Sequence, residues 1–193
     1  MSSSSLSASP LSLNAAELTV RKASMFDIPA LLQLINNYAA QGIMLPRTEF
    51  ELSENIRDFT VLYSGIDLLA SGALHFYTPT SGEVRSLAVT PGIQQRGLGR
   101  RIVEALETEA IENGLHAIFA FTYVAEFFIK LGFHEVERGE LPLKVWKDCL
   151  RCPKFQCCDE IAVLKALCSH AVLQASTEPD LGLIQLPRLK TTN

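Results

Sequence analysis

Two stretches of this sequence, and a handful of single residues, carry side chains able to do chemistry. The first stretch is Val89-Thr-Pro-Gly-Ile-Gln-Gln-Arg-Gly-Leu-Gly-Arg-Arg101, set between a strand-like run and a strongly periodic helix. A helix start presents backbone N–H groups without intrahelical partners and a partial positive charge, so it favours an anion. Gly97 and Gly99 let the backbone approach phosphate oxygens with no side chain between, and Arg96, Arg100 or Arg101 adds charge. A pyrophosphate suits such a loop. The third glycine of a dinucleotide fingerprint is missing, and no Gly-Lys-Ser/Thr completes a Walker loop. Two glycines alone fit a plain helix-starting turn better.

The second stretch is Cys149-x-x-Cys152-Pro-Lys-Phe-Gln-Cys157-Cys158, with enough thiolates for a four-coordinate zinc. A zinc ribbon would have a second separated C-x-x-C, and no glycine lies between Asp148 and Glu160 to shape a knuckle. No metal site is therefore assigned. Reduced cysteines packed in a C-terminal lobe are the leading reading, with zinc or a thiol sensor as alternatives.

The elements that must position the loop follow from periodicity. A strand is predicted at Leu18–Ala23, then a helix capped by Asp27 with Pro29 in its first turn, an apolar stripe at Ile28, Leu31, Leu32, Ile35 and Ala39, and a stop at Gly42. Thr48 and Glu51 have capping-box spacing for a second helix reaching about Asp58. Phe59–Tyr63 and Leu68–Tyr77 read as an antiparallel pair around Ser64-Gly65, followed by a strand at Glu83–Val89. After the loop, Leu98, Ile102, Val103, Leu106 and Ala110 make one face of a helix that ends at Asn113-Gly114. His116–Thr122 reads as a buried strand, Ala125–Leu131 as a short helix and Phe133–Glu137 as a strand. The order is mixed α/β, without internal repeats. Residues 1–16 read as a flexible Ser-rich leader, and the patterning fades beyond Cys168 into a tail at 169–193.

The 193 residues are 48% hydrophobic and 20% charged, a globular composition sufficient for one core. Seventeen Lys plus Arg against 21 Asp plus Glu give net −4 without a basic block, which argues against a nucleic-acid partner. No apolar run approaches the ~18 residues of a membrane span, and the N-terminus lacks a secretion signal, so the cytoplasm is expected.

Gln94-x-x-Gly97-x-Gly99 after Leu87-Ala-Val89, with the later Phe127-Phe128-x-Lys-x-Gly132-Phe133, resembles the acetyl-CoA-binding motif of the GNAT N-acetyltransferases over about Leu18 to Phe133. The resemblance implies a GNAT domain over 17–168, with a Cys-rich C-terminal part at 149–168, whose central mixed sheet is V-splayed and flanked by helices. It also implies acetyl-CoA as co-substrate. Its pantetheine would lie along backbone groups of Leu87 and Val89, acting as a pseudo-strand, and its pyrophosphate against Gln94, Gln95, Arg96, Gly97, Leu98, Gly99 and Arg100. Glu83 resembles the carboxylate base of several such enzymes, and His75 is a minor candidate for that role. Where many relatives place a proton-donating Tyr this chain has Phe128, so either Tyr123 supplies the hydroxyl or the thiolate leaves without help.

Gln41-Gly-Ile-Met-Leu-Pro-Arg-Thr48, with Gly82-Glu-Val-Arg-Ser-Leu-Ala-Val89, is similar to the N-acetylglutamate synthases, especially the short ones without an amino-acid-kinase domain. That similarity implies acetylation of the α-amine of L-glutamate, the first step of arginine biosynthesis. Arg47 and Arg85 would be the guanidinium forks for its carboxylates. Tyr123 and Val124 stand near where the longer synthases carry an Arg and a Ser that contact glutamate, which weakens the substrate assignment. Another amino acid, a small amine or a protein N-terminus is the alternative acceptor. A non-catalytic acyl-CoA-sensing or metal-bound module is the alternative from a different class. A homodimer is compatible with the sequence.

Overall fold

A computed structural model of the protein describes residues 18–141, 150, 154 and 157–167. The leader at 1–16, the tail at 169–193 and the residues Cys149, Cys152 and Cys168 lie outside the described residues.

Seven strands form one sheet in the order β1-β2-β3-β4-β5-β7-β6, where β1 is Leu18–Lys22, β2 Phe59–Ser64, β3 Asp67–Phe76, β4 Ser81–Val89, β5 Ala117–Thr122, β6 His134–Glu135 and β7 Ile161–Ala166. Every neighbouring pair is antiparallel except β4 and β5. Helix α3 (Leu98–Glu112) covers one face, burying Leu98, Ile102, Val103, Leu106 and Ala110 against Leu62, Ala70, Leu74 and Val84. Helices α1 (Ile28–Ala39) and α2 (Glu49–Asn55) cover the other, with Ile28, Leu31, Ile35 and Leu52 packed on Val61 and Ala73. The short helix α4 (Ala125–Ile129) follows β5 and packs Phe128 edge-on against Phe127 and Phe133.

Local chemistry sets most of these boundaries. Thr48 and Glu51 form the expected capping box, Glu51 N–H donating to Thr48 Oγ1 at 3.2 Å and Thr48 N–H to Glu51 Oε2 at 2.9 Å. The helix they start is shorter than its pattern suggests, tightening into a 3₁₀ turn at Ile56–Asp58. Asp27 departs from its expected role. It stands at the N-cap position of α1, but its carboxylate turns back to Ser24 N–H at 2.7 Å and to both Arg21 amino groups at 2.8 Å. The predicted Phe133–Glu137 strand shrinks to two residues, and β7, assigned no strand from the sequence, lies between β6 and β5. Lys165 of β7 explains part of that docking, since its Nζ meets Glu107 of α3 at 2.6 Å and the Leu131 carbonyl at 2.9 Å.

The Arg21–Asp27 pair makes stability depend on acidity. The guanidinium fork, with help from the Ser24 amide and the Tyr63 hydroxyl, holds the Asp27 carboxyl well below the usual carboxylate range. Burial and the same carboxylate push the Tyr63 phenol up to about 12. A depressed carboxyl stabilises the fold fully above its unfolded value of about 4 and loses that contribution as pH falls below it. Asp27→Asn should therefore cost about 1–2 kcal/mol in urea unfolding at pH 7, discounted because Arg21 is exposed to solvent. The gap between the two proteins should narrow steadily as pH falls below about 4.

Candidate active site

The sheet opens beside β4. Its parallel ladder with β5 consists of three pairs, Ser81↔Ala117, Gly82↔Ile118 and Glu83↔Phe119, after which the strands diverge. From Val84 onward the β5 side of β4 has no strand partner among the described residues, and extended backbone in that state is a template for an amide-bearing ligand. A β-bulge sits in the same stretch. Between Ser71↔Ala88 and Ala73↔Arg85, two residues of β4 oppose one of β3, and Ser86 takes the left-handed conformation with φ +52. A non-glycine residue there carries local strain of a kind concentrated at functional sites.

The bulge also sorts side chains. Glu83 and Arg85 lie across from His75 and Ala73 on the α1 and α2 face, whereas Leu87 and Val89 pack toward α3. Without the extra residue Leu87 would share the face of Glu83 and Arg85.

At the C-terminal end of β4 the chain enters the glycine-bearing loop. Gln94, Gln95, Arg96 and Gly97 are exposed there, with Gly97 at φ +77 forming the N-cap of α3. Gly97 offers no capping side chain, the first turn holds no acidic residue, and Arg101 N–H makes the first intrahelical bond, to Gly97 O at 3.1 Å. The N–H groups ahead of it thus start the helix without a side-chain cap. Leu98 contributes only its amide, because its side chain is buried. A Cβ at Gly99 would sit at ordinary contact distance, 3.4 Å from the Phe127 ring and 3.5 Å from Val89 Cγ2. Arg100 shares its charge with Glu104 at 3.1 Å on the surface.

Tyr38, at the end of α1, ties this loop to β4. Its hydroxyl donates to the Val89 carbonyl at 2.6 Å and accepts from Gln94 Nε2 at 3.1 Å, while Gln94 Oε1 accepts from Gly92 N–H at 2.8 Å. Tyr38→Phe removes both hydroxyl bonds, each worth about 1 kcal/mol. The expected result is an acetyl-CoA KM raised roughly five- to tenfold with kcat within about twofold of wild type, read by thiol release in steady state.

On the opposite face, Glu83 is 9% exposed. Beside it His75 Nδ1 stands 2.7 Å from Asp58 Oδ2, and Asp58 Oδ2 is 3.6 Å from an Arg85 amino group. Tyr77 meets the His75 ring edge-on at 4.9 Å, and Phe119 and Phe121 extend the aromatic wall. Arg47 belongs to the α1–α2 connection, where the Asn36 amide grips its backbone from both sides, at 2.9 Å each way.

Residues 31–133 match the acetyltransferase (GNAT) family. The chain belongs to the GNAT family. A 40% identical uncharacterized N-acetyltransferase of Chlorobaculum tepidum aligns over 154 residues, 79% of this chain and 99% of that protein. An amino-acid acetyltransferase of Mycobacterium tuberculosis is 34% identical over 68% of this chain and 77% of its own length. Among solved structures, N-acetylglutamate synthase from Neisseria gonorrhoeae, complexed with coenzyme A and N-acetyl-glutamate, superposes with a TM-score of 0.73 at 28% identity. That match covers 80% of this chain but only 36% of the synthase.

As a GNAT enzyme the protein is an acetyl-CoA-dependent N-acetyltransferase, related to the amino-acid acetyltransferases. The GNAT fold groups the residues expected from the sequence in three places. Leu87, Val89 and the 94–100 loop line the opened edge and its end, while Glu83, Arg85 and Arg47 belong to the α1 and α2 side. Tyr123 stands apart from Glu83, four residues beyond its partner Phe119, or about 13 Å along β5. There Lys154 Nζ donates to its hydroxyl at 3.1 Å and lies 4.8 Å from its ring centroid. Phe128 is buried and supplies no hydroxyl.

Cys157 is exposed and Cys158 half-buried, both as free thiols, with Cys158 Sγ 3.7 Å from Glu160 Oε2. Among the described residues no three His, Cys, Asp or Glu side chains group to hold a metal, and Cys149 and Cys152 lie outside them. No helix among the described residues is long and apolar enough to cross a membrane. Sequence reasoning missed Tyr38 and Asp58. Tyr38 falls one residue before the end of an amphipathic helix, and its partner Val89 is 51 residues away, so no local pattern marks it.

Proposed function

We propose that the protein transfers acetyl directly from acetyl-CoA to the α-amine of L-glutamate. The reading rests on one arrangement above all. Arg85 shares a side of the sheet with the buried carboxylate of Glu83, next to the point where β4 parts from β5, and Arg47 belongs to the α1–α2 connection on that same side. Glutamate has two carboxylates and one amine to be deprotonated, and this side offers matching charges for all three. The similarity to the Mycobacterium tuberculosis amino-acid acetyltransferase and to a synthase solved with N-acetyl-glutamate supports it.

In this account the loop amides from Gln94 to Arg100 hold the pyrophosphate and the free edge of Leu87 to Val89 holds pantetheine. Glu83 takes the ammonium proton, the neutral amine attacks the thioester carbon, and β4 N–H groups stabilise the developing oxyanion. The thiolate then leaves as the attacking nitrogen gives up its second proton, so that of the two protons lost by the ammonium one is released and one is matched by the proton gained at sulfur. Tyr123 is the hydroxyl proposed to protonate that thiolate, a phenol being protonated at neutral pH without any shift.

Thiol release from acetyl-CoA, measured against each common amino acid, tests the acceptor. Glutamate should rank first by kcat/KM, and Arg47→Ala and Arg85→Ala should each raise its KM about 10- to 100-fold, with the acetyl-CoA KM unchanged. Preference for an amine without side-chain carboxylate, or unaltered KM in both variants, would overturn the glutamate assignment.

A further inference from the structure

We infer that His75, held by Asp58, passes the proton collected by Glu83 to a water-filled cleft at the far end of β3, away from the acetyl-CoA loop. The inference deepens the reading of Glu83 as base and rests on it. Glu83 is 9% exposed, and in the proposed complex acceptor and thioester cover its open side. It must nevertheless shed a proton in every turnover.

The β-ladder supplies the neighbour. His75 is the direct partner of Glu83 across β3 and β4 and shares its face, which brings their Cβ atoms to about 5 Å. The ring is oriented from behind, because Nδ1–H donates to Asp58 Oδ2 at 2.7 Å. That bond leaves Nε2 as the proton acceptor. Tyr77, edge-on at 4.9 Å, restricts the ring from the next position on the same strand.

The exit is set by strand lengths. Because β2 begins at Phe59, opposite Ala73, residues Leu74 to Phe76 of β3 run on past its end. The space left is a cleft of about 310 Å³ lined by Arg57, Asp58, His75, Phe76, Glu109 and Asn113. The His75 side chain is 30% exposed there. The charged groups around ring and cleft are Asp58, bonded to the ring, Glu83, its partner across the ladder, Arg85, 3.6 Å from Asp58, and, lining the cleft, Arg57 from the turn before β2 and Glu109 from α3, to which Lys22 of β1 is bound at 2.7 Å.

The transfer balances without another reagent. An N–H bond of the ammonium breaks and an O–H bond forms on Glu83. That O–H bond then breaks as Nε2–H forms, giving an imidazolium facing Asp58. The Nε2 proton leaves to cleft water, restoring neutral His75 and ionised Glu83. His75 acts through Glu83 and touches neither substrate.

The test compares wild type, His75→Ala, His75→Gln and Glu83→Gln at saturating substrates over pH 6–9, with and without added imidazole. Both His75 variants should lose about tenfold or more in kcat with both KM values unchanged. Imidazole should restore His75→Ala in a saturable, concentration-dependent manner and leave the residual rate of Glu83→Gln unchanged. Loss in Glu83→Gln beside wild-type kcat in His75→Gln would overturn the relay alone. Failure of imidazole to raise the rate of a folded His75→Ala protein would do the same. Wild-type kcat in Glu83→Gln would overturn the base assignment and the relay with it.

Discussion

Replacing Gly97 by valine is expected to weaken acetyl-CoA binding about 100-fold while the sheet and its core stay folded. Gly97 holds φ +77 at the N-cap of α3, a conformation that costs an L-residue about 1–2 kcal/mol and is least accessible to a β-branched one. The position is open, with nothing within 4 Å of where a Cβ would be, so the effect comes from the backbone and not from a clash in the core. Relief of the strain turns the first-turn amides of α3 away from their common direction. Loss of two charge-assisted bonds to a pyrophosphate, at about 1.5–3 kcal/mol each, gives the stated factor or more. Calorimetric titration with coenzyme A reads it, and a wild-type dissociation constant in a folded Gly97→Val protein would contradict the loop assignment.

Glu83→Gln should lower kcat by about 10²–10³-fold, within the range for loss of a general base, with little change in the acetyl-CoA KM. Glutamine keeps the volume and the position in the ladder opposite His75 but cannot take a proton. The residual rate should climb with pH, because at higher pH more acceptor arrives already deprotonated. A flat residual rate, or a loss confined to KM, would show that Glu83 binds the acceptor without deprotonating it.

Much of the fold is legible because single elements advertise themselves. The stripe Leu98, Ile102, Val103, Leu106 and Ala110 is buried throughout, and the Thr48 capping box forms as its spacing implies. The loop between β4 and α3 is legible for the same reason, since strand, glycines and helix start are contiguous. What escapes is decided between distant segments. The length of the β4–β5 ladder depends on how α3 sets the two strands and on β7 holding the far side of β5. The run Ile161-Ala-Val-Leu-Lys-Ala166 alternates too weakly to announce a strand, and its lysine finds its partner Glu107 58 residues earlier. The bulge at Ser86 has no glycine to mark it. Asp27 shows the reverse error: a residue suited to capping is claimed instead by Arg21, six positions before it.

The Asp58–His75 pair illustrates why a site reads less completely than a fold. Each residue is unremarkable in its own segment, one ending a 3₁₀ turn and the other near the end of a strand, and only the antiparallel return of β3 joins them. Arg85 then meets Asp58 as well, so the charge of the proposed fork is shared with a carboxylate 27 positions away.

The central claim is that the edge freed where β4 leaves β5 receives the coenzyme. A crystal structure with coenzyme A tests it most directly. The account predicts pyrophosphate oxygens within about 3.2 Å of N–H groups in the 94–100 loop and the pantetheine amides hydrogen-bonded to β4 between Arg85 and Val89. Coenzyme A bound elsewhere, with the β4 edge bare and Gly97 and Gly99 turned away from it, would contradict the account.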